Sequence, residues 1–281
     1  MKTVTELIAE NFDMLTNSHK KVAKFIQHNL NLCAFKTLEE IAKQINVSTT
    51  TVIRFSRALG FAGFSDLQRN IQNNIQIKES LPDRLLNITN ECPNEVFKQS
   101  FLRDIENIQI TMNSQNDKNL KSVINCISDA KNVFILGMRS AFSVAFYMAS
   151  RLGEIKANIH LIQSVGLLYP EEIVNAEKGD ACIAYLFPRY SKQTTAMISW
   201  LKKQGVKIIL ITSMDNSLVA SYGDFILPCA VKSLYYKNSY AGPMCLTNYL
   251  VTSMTLCNKE EAKKLLIKTE EILQQGFYLG I

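Results

Sequence analysis

Five short apolar runs in the second half of the chain constrain its fold more than any other feature. They are Val133–Leu136, Asn158–Ile162, Ala181–Phe187, Val206–Thr212 and Asp224–Ala230. Each is strand-sized, rich in Val, Ile and Leu, and apolar on both faces, as strands buried in a parallel sheet are. Between them lie helix-length segments at 141–153, about 167–176, 193–204 and 215–222. This repeated strand–helix–strand spacing implies an α/β domain on a five-stranded parallel sheet. A helical stretch over about 94–113 precedes it. Asn258 is placed to cap a final amphipathic helix in which Leu265, Leu266, Ile272 and Leu273 can bury one side.

The sheet accounts for only part of 281 residues, and at about 150 residues per domain the remainder is long enough for a second one. Apolar residues at 47% and charged residues at 20% exclude a disordered chain. No apolar run approaches the ~18–20 residues of a membrane helix, and Glu6, Glu10 and Asp13 spoil a signal peptide. The seven cysteines (33, 92, 126, 182, 229, 245 and 257) are odd in number and never spaced C-x-x-C. That argues against a disulfide framework or a zinc finger and fits a reducing cytoplasm. With only His19, His28 and His160 present, a histidine-rich metal site is not expected. The expectation is a soluble, cytoplasmic protein.

Charge is concentrated near the N-terminus. Between His19 and Asn70 stand Lys20, Lys21, Lys24, Lys36, Lys43, Arg54, Arg57 and Arg69, opposed only by Glu39, Glu40 and Asp66. The window is +5 out of a whole-chain +6. Such an excess is either a solvated helix face or the electrostatic footprint of a nucleic-acid-binding module.

The pattern around it favours the second. Residues 4–30 read as two amphipathic helices broken at Thr16–Ser18, with Ser18 able to cap the second. Thr37-Leu-Glu-Glu40 is a capping box opening a short helix through Ile45. Ser48 caps another, Thr49 to Leu59, which Gly60 ends as a left-handed residue. Two short helices joined at Asn46-Val47 form a helix-turn-helix. Ala42 is small where the helices cross, Asn46 tolerates the left-handed turn, and Ile41, Ile45, Val47, Val52 and Phe55 supply buried contacts. Thr49, Thr50, Ile53, Arg54 and Arg57 then face outward. The N-terminal residues of such a helix reach base edges in the major groove. Threonine bonds bases or phosphates and arginine reads guanine bidentately, while Ser48 and the helix N-terminus suit a phosphate. Ser65 is placed to cap a further helix carrying Leu67, Ile71 and Ile75. Residues 1–77 are thus assigned to the helix-turn-helix domain, 78–93 to a linker broken by Pro82 and Pro93, and 94–281 to the α/β domain.

In parallel sheets ligands bind at the carboxyl ends of strands, and two loops there carry chemistry. Gly137-Met-Arg-Ser140 runs from strand to helix. Arg139 stands where a dinucleotide fingerprint has its second glycine, so a single phosphate held by Arg139, the Ser140 hydroxyl and helix N–H groups is the better reading. Phe187-Pro-Arg-Tyr-Ser-Lys-Gln-Thr194 repeats the arrangement, with Ser191, Gln193 and Thr194 at a helix N-terminus and Arg189 and Lys192 nearby. Each loop alone is also readable as an N-capped turn. No catalytic constellation stands out: Glu154, Glu171 and Glu172 are bases only as any carboxylate is, and His160 reads as structural. The run Tyr235–Tyr240 could line a pocket or a subunit interface.

These residues resemble a known family. Thr37-Leu-Glu-Glu-Ile-Ala, Val47-Ser, Thr51-Val-Ile-Arg-Phe and Leu59-Gly-Phe-Ala-Gly-Phe-Ser-Asp-Leu are similar to the N-terminal domain of RpiR/MurR-type bacterial transcription regulators. Gly179-Asp, Phe187-Pro-Arg-Tyr-Ser-Lys-Gln-Thr and Asn238-Ser-Tyr-Ala-Gly-Pro resemble the sugar isomerase (SIS) domain that this family carries. The resemblance implies a three-layer αβα SIS fold and a homodimer or homotetramer without a cofactor. It also implies a phosphorylated sugar effector that changes affinity for operator DNA, with Ser140 and Ser191 matching the serines used on the ligand phosphate and Thr194 completing the second loop. Arg139 in place of a glycine and Pro188-Arg189-Tyr190 in place of Ser-Gly-rich sequence depart from the SIS pattern and fit a more acidic or differently shaped ligand. A dimer presenting two recognition helices implies a palindromic site on double-stranded DNA. The alternatives are a sugar-phosphate isomerase with an accessory helical domain, and an interaction module on a ligand-free SIS fold.

Overall fold

The computed structural model describes residues 2–34, 36–76, 93–163, 169–234 and 236–277. Apart from Pro93, the linker expected at 78–93 lies outside these residues, as do Tyr235 and the first two residues of the helix expected at 167–176. The chain forms two compact units, an all-helical one and an α/β one. Among the described residues no helix is long and apolar enough to cross a membrane.

The helical unit contains α1 (Val4–Asn11), α2 (Asn17–His28), α3 (Leu30–Cys33), α4 (Leu38–Ile45), α5 (Thr49–Ala58) and α6 (Phe64–Gln76). Thr3 with Glu6 and Thr37 with Glu40 form reciprocal capping boxes at α1 and α4. At α2 the cap is Thr16, whose hydroxyl accepts from the His19 N–H at 3.3 Å; Ser18, expected there, lies inside the first turn. Ser65 is likewise inside α6, because Phe64 is already helical. Asn46 adopts φ 58° and ψ 53° between α4 and α5, the left-handed turn expected of it, and Gly60 beyond α5 has φ 89°. Ile8, Val22, Ile26, Ile41, Val52, Phe55, Leu67 and Ile71 fill the core. Gln68 on α6 donates to the carbonyls of Cys33 and Lys36, satisfying the end of α3.

The α/β unit begins with α7 (Pro93–Asn113) and α8 (Asp117–Asp129). The sheet comprises β1 (Val133–Gly137), β2 (Ile159–Ile162), β3 (Ala181–Leu186), β4 (Lys207–Ser213) and β5 (Phe225–Cys229). All pair in parallel in the order β2-β1-β3-β4-β5. α9 (Phe142–Gly153) leads from β1 towards β2, α10 (Tyr169–Ile173) follows β2, and α11 (Lys192–Lys203) joins β3 to β4. α12 (Ala241–Cys257) and α13 (Lys259–Ile272) close the unit. β1 and β3 are buried throughout, whereas β2 is an edge strand with exposed His160, so the expectation that every strand is apolar on both faces fails there.

Other expectations also need correction. Residues 215–222 form turns ending in a single 3₁₀ turn, Ala220–Tyr222, in place of a helix. The Ser213 hydroxyl donates to the Asp215 carbonyl at 2.8 Å, one of the local bonds by which such residues compete with a helix. Asn258 does not cap α13 with its side chain, which donates to the Ser128 hydroxyl instead. Leu266 and Ile272 on that helix are exposed.

β5 is the other edge, and side chains of the preceding helical segment seal it. Asn107 exchanges two hydrogen bonds with the Lys232 backbone, at 2.6 and 3.2 Å. The Ala230 N–H donates to Thr111 Oγ1 at 3.0 Å, Gln115 donates to the Pro228 carbonyl at 2.7 Å and Asn119 to the Ile226 carbonyl at 2.9 Å. Backbone groups that an open edge would offer to another strand are thereby occupied.

Candidate functional site

Two regions carry the predicted site residues, one in each unit. In the helical unit, α5 begins at Ser48, whose Oγ accepts from the Thr51 N–H at 3.2 Å and lies 2.9 Å from Thr51 Oγ1. Thr50, Arg54 and Arg57 are exposed and Thr49 is half-buried. Arg57 donates through Nε to the Ala62 carbonyl at 3.4 Å, which ties it to the turn after the helix. Ile53, expected to face outward, instead packs partly buried against the helical core. The exposed face therefore holds hydroxyls at its N-terminal end and guanidinium groups one and two turns on, side-chain types that are able to contact bases and phosphates.

In the α/β unit the two loops leave adjacent strands. Gly137 at the end of β1 is in register with Tyr185 on β3. The chain after β1 turns to one side of the sheet order and that after β3 to the other, which makes this the topological switch point where parallel sheets hold ligands. Gly137 is required by packing: a Cβ there would lie 2.8 Å from both the Ala141 carbonyl oxygen and Ala145 Cβ. Arg139 and Arg189 both adopt left-handed backbone, φ 57° and 69°. Sparsely populated backbone of this kind, held at one place in each of two neighbouring loops, clusters at ligand sites. Both side chains are exposed, as are Lys192 and Gln193.

The Ser140 hydroxyl lies 3.0 Å from the Tyr240 hydroxyl, and the Tyr240 ring meets Phe187 edge-on with centroids 5.3 Å apart. Tyr240 thus joins the β1 loop to the start of the β3 loop. Among the described residues of the run Tyr235–Tyr240 it is the one that bridges the two loops, and sequence spacing alone does not single it out. Ser191 caps α11 by accepting from the Thr194 N–H at 3.4 Å. Thr194 itself is buried, with its hydroxyl unpartnered; a hydroxyl left so pays its desolvation without return. Tyr190 is buried beside β4, its hydroxyl 3.2 Å from Ser213 Oγ, and burial pushes its phenol above the ordinary tyrosine range. It anchors the β3 loop to the end of the next strand.

None of the carboxylates weighed as bases lies on these loops. Glu154 sits at the far end of α9 in an ion pair with Arg151 at 3.0 Å, Glu172 accepts from the Gln163 N–H, and Glu171 is exposed on α10. His160 stacks on Phe134 and lies 3.2 Å from the Asn132 side chain, a structural role.

An all-helical helix-turn-helix unit and an α/β unit with paired loops at its switch point define a transcription regulator with an attached sensor-type fold. Family models agree: the helix-turn-helix domain of the rpiR family matches residues 2–78, and the SIS domain matches residues 126–252. The chain belongs to the RpiR family of helix-turn-helix transcriptional regulators. Among curated proteins it is 25% identical, over 228 residues, to an uncharacterized HTH-type transcriptional regulator of Haemophilus influenzae, covering 80% of this chain and 78% of that one. Two solved structures share the fold. The sugar isomerase domain of the RpiR transcription factor from Sphaerobacter thermophilus aligns with TM-score 0.60 and 22% identity, over 63% of this chain and 99% of that one. The Vibrio vulnificus NanR protein complexed with ManNAc-6P aligns with TM-score 0.58 and 18% identity, over 99% and 100%.

Proposed function

We propose that the SIS domain binds a phosphorylated sugar across the β1 and β3 loops, and that binding shifts the affinity of α5 for operator DNA. The observation that carries the ligand site is the Tyr240 bridge, which couples Ser140 on one loop to Phe187 at the head of the other. Arg139, Ser140, Arg189, Ser191, Lys192, Gln193 and Thr194 are the ligand residues, and Ser48, Thr49, Thr50, Arg54 and Arg57 the DNA residues. Supporting the ligand class is the sugar phosphate bound by the structurally similar Vibrio protein. The chain works in the cytoplasm as a homodimer or homotetramer on a palindromic site, with residues 1–77 reading DNA, 78–93 linking and 94–281 sensing. The reading as a regulator and not an enzyme is supported by the rpiR-type helix-turn-helix domain and by relatives that are HTH-type transcriptional regulators. The effector acts through its differential affinity for DNA-competent and DNA-incompetent states, typically 1–3 kcal/mol.

One NMR time course of the whole chain with pooled sugar phosphates, acidic and amino sugar phosphates included, tests this. Selective broadening of one compound without new peaks, and a change in DNA affinity on adding that compound, are expected. Product peaks growing in proportion to protein would make the chain an isomerase.

A further inference from the structure

Helix α7 buries polar side chains and leaves large apolar ones exposed. The side facing the sheet is polar: Asn107 and Thr111 are buried and bonded to the β5 edge, and Asp104 accepts from the Ser239 hydroxyl at 2.5 Å. About a quarter turn round from that side runs a stripe of Phe97, Phe101, Ile105, half-buried Ile108 and Met112, spaced four, four, three and four residues apart. Phe97 is 76% exposed, Met112 66%, Phe101 61% and Ile105 49%. An ordinary surface helix buries its apolar stripe and hydrates the opposite face.

We infer that this stripe is the contact between two copies of the chain, packed antiparallel about a two-fold axis near Ile105. The inference rests on the oligomer assigned above and places its interface. The spacing supports a second copy over any other occupant, because it is nearly palindromic about Ile105. Reversing the helix about the point between Asp104 and Ile105 pairs Phe97 with Met112 and Phe101 with Ile108 and brings the two Ile105 residues within one position of each other, which is the self-complementarity of an isologous contact. Residues recurring at threes and fours keep one seam facing a partner helix. The area is also adequate. With ~200 Å² for a large side chain, the four most exposed residues offer on the order of 500 Å² per copy. That is the apolar centre of a standard interface of ~800 Å² per partner.

The test uses the full chain. Light scattering after size exclusion is compared for wild type and for the double variant Phe101→Glu with Ile105→Glu, and melting curves check the fold. A second variant, Ile105→Cys, keeps the helix apolar and places two thiols at the axis, within reach of a disulfide if the helices cross there. Wild type, with its exposed Cys245 and Cys257, is the oxidised control. Expected are a wild-type dimer or tetramer, a step down in assembly for the double variant with the dissociation constant raised at least ~100-fold by buried unpaired charges, and a covalent Ile105→Cys dimer. A monomeric wild type overturns both the oligomer and its interface. A wild-type oligomer unchanged by the double variant, or one in which Ile105→Cys fails to cross-link beyond the control, overturns the α7 contact and leaves the oligomer standing. Should the double variant lose its fold, the Ile105→Cys result decides.

Discussion

The hydroxyls of Ser140 and Tyr240 meet at 3.0 Å although 100 residues separate them in the chain. One begins the turn after β1 and the other immediately precedes α12, so the bond fixes the mouth of the β1 loop against the end of the domain. Tyr240→Phe keeps the ring on Phe187 and deletes only the bond. Ser140 is exposed and Tyr240 half-buried, so losing the one bond should cost about 0.5–1 kcal/mol of stability. Phosphate binding should weaken by about 1 kcal/mol as the Ser140 hydroxyl loses its orientation. Thermal melts with and without inorganic phosphate measure both; equal phosphate stabilisation in the two proteins would remove Tyr240 from the site.

Gly137 makes a sharper prediction. An alanine methyl there would sit 2.8 Å from the Ala141 carbonyl oxygen and from Ala145 Cβ, so α9 must shift. The cost should be about 1–3 kcal/mol in urea denaturation, the range of an overpacked core. Because α9 begins just after Ser140, sugar-phosphate binding should fall with it. Unchanged stability would mean that α9 is free to move.

Much of this was legible beforehand, for identifiable reasons. The five strands stand within a residue or two of where Val, Ile and Leu runs place them, and Thr37, Asn46, Ser48 and Gly60 punctuate the helix-turn-helix as their chemistry demands. α8 and α12 were missed. α12 carries Cys245, Tyr249 and Leu256 on its exposed face as well as apolar residues on its buried one, so no stripe marks it, and Gly242-Pro243 reads as a turn although proline is tolerated in a first helical turn. The placement of the two loops was legible because a strand-to-helix junction with hydroxyls and arginines is a local pattern. Tyr240 was not, because its partners come from β1 and β3, and only the fold brings them to it. The bare apolar face of α7 is not legible in the sequence, because periodicity reports a stripe without saying whether the chain itself covers it.

On the DNA side, Arg54 is exposed one turn beyond the N-terminus of α5, and the proposed function assigns it the base-reading role. Arg54→Ala should cost about 1–3 kcal/mol of specific affinity and relax preference at one base position. Selection from a randomised duplex pool compares the two proteins. Retention of the full sequence preference by the variant would confine Arg54 to the phosphate backbone.

The buried thiols set how the α/β unit responds to alkali. Burial pushes Cys182 on β3 from 9.0 to about 12, and half-buried Cys126 on α8 to about 11. Both thiols are neutral in the fold. Below pH 9 the folded and unfolded chains alike hold these protons, so the full stability is present. Above it the unfolded chain ionises first, and stability is lost progressively until the folded thiols ionise in turn. The window is therefore about pH 9 to 12. Cys182→Ala leaves a small cavity and costs about 1 kcal/mol at neutral pH, yet its stability should fall less steeply than wild type between pH 8 and 10.5. Urea denaturation at the two pH values gives the slopes, and parallel slopes would show that Cys182 keeps an ordinary thiol pKa in the fold. Alkylation reports the same physics, since the thiolate is the reacting form. In a Cys92→Ser background, exposed Cys245 and Cys257 should react first, and Cys33, Cys182 and Cys229 only on unfolding.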